Sequence, residues 1–175
     1  MTTRLCVFAA RLATAAALLV VPAACLGPDS GATSPLYSNL AEVAGDLDEN
    51  AARDMINAYR ANNSLGPVAL DDRLNALARG YAGELATAAS KGARIDPDGK
   101  LDTRLNVAGY ETADVSESVS AGYHTLAEAF SGWRDSEPHR ETMLYAPAQD
   151  LGIAAVYLPG TKYKVYWVLI MAKPA

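Results

Sequence analysis

Apolar side chains along this chain first recur with a helical period and later crowd into β-type runs. Leu47, Ala51, Met55 and Ala58, with Ile56 and Tyr59, mark one helix face, and Asn62-Asn63-Ser64-Leu65-Gly66-Pro67 stops the run. From about Asp72 a second face follows through Leu74, Leu77, Ala78, Tyr81, Leu85 and Ala88. Residues 91–104 are polar and rich in turn chemistry, as in Asp96-Pro97-Asp98-Gly99. Val115 and Val119 alternate with polar neighbours and predict a short strand. Thr125-Leu126-Ala127-Glu128 has capping-box spacing and opens a third helix with Leu126, Ala129, Phe130 and Trp133 inward. Ser136 stands as N-cap of a fourth, with Pro138 tolerated in its first turn. Leu151–Leu158 and Tyr163–Ala172 are β-rich runs joined by Pro159-Gly160-Thr161-Lys162, a hairpin signal. This order predicts an α+β fold: an antiparallel sheet covered by helices.

The first 25 residues have a different character. Nineteen are hydrophobic, the only charges are Arg4 and Arg11, and Leu12–Val21 is a ten-residue apolar region interrupted only by Thr14. A bilayer core of about 30 Å needs about twice that length as a helix, so the segment reads as a signal peptide. Cys25 follows the small residues Ala23 and Ala24 and looks like the lipid-modified cysteine of a bacterial lipoprotein. Cleavage after Ala23 by an ordinary signal peptidase is the competing reading. Both imply a destination outside the cytoplasm, with Cys25 a membrane anchor in the first. Residues 26–46, with Gly27, Pro28, Gly31 and Pro35, read as a flexible linker, and residues 47–175 as one domain.

Charge sharpens this picture. The chain has 15 Lys+Arg against 20 Asp+Glu, a net charge of −5; without Arg4 and Arg11 the remainder carries 13 against 20, or −7. An acidic surface does not suit phosphate backbones, so nucleic acid is excluded as a partner. Two cysteines and two histidines are too few for a zinc finger or a disulfide framework.

Several short motifs occur in a telling order: Met55-Ile56-Asn57-x-x-Arg60, Gly66-Pro67-Val68-x-Leu70, Leu74-x-x-x-Ala78, Gly99 with Arg104, and Gly109-Tyr110. Glu117-Ser118, Ala121-Gly122-Tyr123, Trp133, Ser136-x-Pro138-His139-Arg140, Leu144, Leu151-Gly152-Ile153 and Tyr166-Trp167 complete the set. Over about residues 50–172 this set resembles the CAP superfamily (cysteine-rich secretory proteins, antigen 5 and pathogenesis-related 1) in its bacterial SCP-domain form. The resemblance implies a three-layer α–β–α sandwich with a central antiparallel sheet. It also implies a cleft lined by two histidines and acidic residues, sometimes holding a divalent metal. Carried over by position, the glutamate falls on Glu117 and the second histidine on His139, while the first histidine is replaced by Arg94. Ser118 and Thr142 stand where the family has asparagines. Arg94 thus weakens a metal site and favours no cofactor.

The candidate binding cleft is Arg94, Glu117, Ser136 and His139, with His139 and Glu117 also the catalytic candidates. Glu117 shares a face with Val115 and Val119, so it points inward and needs a partner, for which His139 and Arg94 are available. A Ser136–His139–Glu117 triad lacks a strained nucleophile turn, and capping explains Ser136 better. Trp133 and Trp167 read as core. Tyr157, Tyr163 and Tyr166, alternating near Lys162 and Lys164, form either a half-exposed face or a ligand-contacting edge. The leading expectation is an exported envelope protein that binds a small ligand or envelope component without catalysis. A hydrolase acting on peptide or cell-wall bonds through Glu117 and His139, and a divalent-metal module, are the alternatives.

Overall fold

The computed structural model describes residues 34–42 and 46–175. The signal-peptide and lipidation readings, Cys25 included, lie outside the described residues. The elements are α1 (Glu49–Asn62), β1 (Ala69–Leu70), α2 (Asp72–Ser90), α3 (Leu101–Val107), β2 (Thr112–Ala121), α4 (Leu126–Asp135), α5 (Glu137–Met143), β3 (Asp150–Tyr157) and β4 (Val165–Pro174).

Each helix of ten or more residues begins where a side chain caps it. Asp48 accepts from the Ala51 N–H, Asp71 from those of Arg73 and Leu74, and Thr125 from that of Glu128. Glu128 reaches back to the His124 N–H at 2.7 Å, one residue before the cap itself. The strands lie in the order β1-β3-β4-β2, with β2, β4 and β3 antiparallel. The sheet has one parallel pair, because the two residues of β1 run alongside Asp150 and Leu151.

Strand β4 is buried on both sides, and its alternation sorts the core into two layers. Val165, Trp167, Leu169 and Met171 pack with Ile56 of α1, Leu126, Ala129 and Trp133 of α4 and Met143 of α5. Tyr166, Val168, Ile170 and Ala172 pack with Leu74, Ala78, Tyr81 and Leu85 of α2 and Leu105 of α3. A strand covered on both faces needs apolar residues throughout, and β4 supplies them from Val165 to Ala172. The expected helix–sheet–helix sandwich is thus the observed one. Trp133 and Trp167 are core, edge to face at 5.6 Å, and their indole N–H groups donate to Ser120 Oγ and the Tyr123 carbonyl.

Three details differ from the sequence expectation. Helix α3 occupies a stretch read as turns; Leu101 and Leu105, four apart, carry its inward face. The β3–β4 connection runs from Leu158 to Lys164, because Lys164 adopts φ 62° and cannot continue a strand. Residues 34–42 were expected within a flexible linker, yet they lie on the domain. Leu40 is 6% exposed within the core, its N–H donates to the His124 carbonyl, and the Leu36 carbonyl accepts from Ala127.

Candidate functional site

Strand β2 is a sheet edge, and it presents Glu117 toward α2 and α3, as the alternation with Val115 and Val119 requires. The Glu117 side chain is 6% exposed. Its partner is neither Arg94 nor His139 but Arg104 of α3, whose Nη2 donates to both carboxylate oxygens at 2.7 and 2.9 Å. Arg104 Nη1 donates to Asp98 at 2.6 Å, and the guanidinium lies 3.7 Å from the Tyr81 ring centroid. The Tyr81 hydroxyl accepts from the Asp98 N–H at 2.8 Å and thereby fixes the loop that carries the second carboxylate.

The electrostatics of this cluster are a contest between burial and pairing. For Glu117 burial prevails over Arg104, and its carboxyl stays above the usual value of 4.5. For Asp98, burial raises the value, but Arg104 and the Lys100 N–H together outweigh it and leave the carboxyl below 3.8. Burial also acts against the Arg104 charge, yet its two carboxylate bonds more than offset it.

His139 projects from α5 to the free edge of β2. Its Nε2 stands 3.1 Å from the Val119 carbonyl and its Nδ1 2.8 Å from Ser136 Oγ. A carbonyl only accepts, so Nε2 carries the hydrogen, and in the neutral ring Nδ1 accepts from the Ser136 hydroxyl. Ser136 occupies the N-cap position of α5, but its side chain makes no capping bond; it serves His139 instead. Ser116 and Thr142 tie the same edge to α5 through a 3.1 Å bond between their hydroxyls.

Glu117 and His139 therefore face opposite layers of the sandwich, and no hydrogen bond joins them among the described residues. Arg94 is elsewhere again: its side chain is 90% exposed and pairs with Asp96 at 3.2 Å. The expected four-residue cleft resolves into a half-buried ion cluster around Glu117, an edge-capping imidazole with its serine, and an exposed arginine. A divalent metal does not fit these residues. Both Glu117 oxygens are bound by a cation, and His139 Nε2 is spent as a donor. No group of three or more metal-ligating side chains occurs among the described residues.

Arg94 does line a cavity of about 460 Å³, together with Ile95, Asp96, Lys162, Tyr163 and Tyr166. Sequence reasoning placed Tyr81 on a helix face, Asp98 in a turn and Arg104 in a family motif but gave none of them a place in the site, although Leu101 and Leu105 were the signal that a helix would aim Arg104. Arg60, named only as a motif residue, is wholly buried and donates to the carbonyls of Gly66, Met143, Tyr145 and Ala148.

Comparison with known proteins agrees with this architecture. The family model of CAP, the cysteine-rich secretory protein family, matches residues 53–171. Among solved structures, an outer surface protein from Borrelia burgdorferi superposes with a TM-score of 0.60 at 18% identity, covering 75% of this chain and 98% of that one. An extracellular SCP-domain protein from Bacillus anthracis gives 0.58 at 19% identity, covering 71% of this chain and 39% of that one. A cysteine-rich secretory protein from Staphylococcus aureus gives 0.55 at 17%, covering 71% and 38%. This chain thus spans about two fifths of the length of the Bacillus and Staphylococcus proteins. No curated protein matches it.

Proposed function

Because the chain belongs to the cysteine-rich secretory protein family, we propose that it is an exported domain of the bacterial envelope that binds a small ligand or envelope component without catalysis. The observation that carries the non-catalytic reading is the pairing of both catalytic candidates within the fold. Glu117 has both oxygens on Arg104, and His139 has both nitrogens on partners within the fold. A general base needs access to the proton it removes; Glu117 offers none, and the proton His139 accepts is that of Ser136, a hydroxyl without a strained nucleophile turn. The signal-like pattern of residues 1–25 supports export, as does the shared fold with an extracellular protein of Bacillus anthracis and an outer surface protein of Borrelia burgdorferi. Among the described residues no helix is long and apolar enough to cross a membrane.

Fractionation of a bacterial host expressing the full chain, followed by intact mass measurement, tests the address. The expected product is an envelope or secreted form lacking the leader, with added lipid mass that Cys25→Ala abolishes. Recovery of all 175 residues from the cytoplasm overturns export. Incubation with peptidoglycan and peptides tests the chemistry. The wild type is expected to release no product, while His139→Ala loses two hydrogen bonds and about 1–3 kcal/mol of stability. Turnover that disappears in a folded Glu117→Gln variant overturns the non-catalytic reading.

A further inference from the structure

We propose that the cavity between the loop after α2 and the β3–β4 loop is a binding site for small organic anions, carboxylates or phosphate monoesters with an apolar body. This inference rests on the reading of the domain as a binder and gives it a place and a ligand class. Three observations converge.

The first is size: about 460 Å³ lies within the range of cavities that enclose small molecules. The second is charge. On a chain of net charge −5, two cations from separate loops, Arg94 and Lys162, line one mouth against a single carboxylate, Asp96. Asp96 engages Arg94 through Nε, and the terminal guanidinium nitrogens make no hydrogen bond among the described residues. Lys162 Nζ lies 4.9 Å from the Tyr163 ring centroid, with no carboxylate in ion-pairing range among the described residues. The third is Tyr166, which also lines the cavity. It is wholly buried, and its hydroxyl has no partner among the described residues. Buried hydroxyls are nearly always satisfied, so an orphan at a cavity wall points to a group that arrives from outside.

Tyr163 and Tyr166 meet edge to face at 6.4 Å and with Ile95 give an apolar wall for the ligand's body. An oxyanion between Arg94 and Lys162 would balance the one net positive charge at the mouth, and an acceptor oxygen that reached Tyr166 would take its hydroxyl hydrogen.

Titrating the full chain with hexanoate, phenyl phosphate and hexanol, followed by backbone amide NMR and calorimetry, tests this. Both anions are expected to bind saturably and shift amides of residues 92–96 and 161–166, with hexanol at least tenfold weaker. The stronger of the two anions identifies the oxyanion source. Arg94→Gln and Lys162→Gln should each weaken the preferred anion about tenfold, and Tyr166→Phe about fivefold. Hexanol binding as tightly as hexanoate overturns the anion class while leaving a ligand-binding cavity. Saturation by none of the three probes, or affinities unchanged in all three variants, overturns the site. Export and absence of turnover are read by the separate experiments above, so the two proposals fail independently.

Discussion

Glu117 illustrates how a carboxylate can be fully paired and still resist ionisation. Its two bonds to Arg104 favour the charge, but the desolvation that comes with 6% side-chain exposure outweighs them. Because its value is raised on folding, the folded chain holds the Glu117 proton more tightly than the unfolded chain does. Stability contributed by this group therefore falls as pH rises from 4.5 to the raised value and is level above it. Glu117 should be the last buried carboxyl to ionise when followed by carboxyl ¹³C shifts, and Glu117→Gln should remove the negative slope from that window. An ordinary titration near 4.5 would show that pairing prevails. Alternation along β2 made the inward aim of Glu117 readable from sequence. Its partner was not readable in that way, since Arg94 and Arg104 are alike as residues and differ only in what holds them. Arg104 rides a helix pinned by Leu101 and Leu105, whereas Arg94 sits in a loop open to solvent.

Helix α2 packs tightly on β3, and a single glycine permits it. A Cβ built on Gly152 would overlap the Leu74 backbone, which has no room to retreat because the Leu74 side chain is fully buried. Gly152→Ala should push α2 off the sheet and cost about 1–3 kcal/mol, measurable as a lower midpoint in urea. An unchanged midpoint would mean that the two elements slide without penalty. Asn75 reinforces the same junction, accepting from the Ile153 N–H at 2.9 Å and donating to Glu49 of α1 at 2.7 Å. Element by element, the capped helices and the long strand β4 were legible because local signals and burial agree in them. Helix α3 and strand β1 were not. Seven residues in a polar stretch and two residues after a proline carry too little periodicity to register, and both exist through the partners they meet.

For the molecule as a whole, the boundary of the folded unit lies earlier than composition indicates. Gly and Pro mark residues 26–46 as linker, but Leu36 and Leu40 supply apolar side chains that the helical layer takes in. A chain beginning at Asp46 should therefore melt several degrees below one beginning at Ser34, since burying one leucine is worth about 1.5–3 kcal/mol. Equal melting temperatures would return residues 34–42 to the linker. The three-layer architecture follows from the two-sided burial of β4, and its family resemblance was carried by motifs spread over all layers. The site was less legible than the fold, because the matched positions Arg94, Glu117 and His139 share a family pattern without sharing a place.

Acid divides this molecule unevenly. The α3 layer hangs on Arg104, whose Asp98 partner is lost as pH falls through that carboxyl's depressed value, below 3.8. The α1 layer hangs on Arg60, whose acceptors are four main-chain carbonyls that no proton titrates away. Harsh acidity thus removes one ionic fastening of α3, while the bonds that Arg60 makes on the other side of the sheet stay in place.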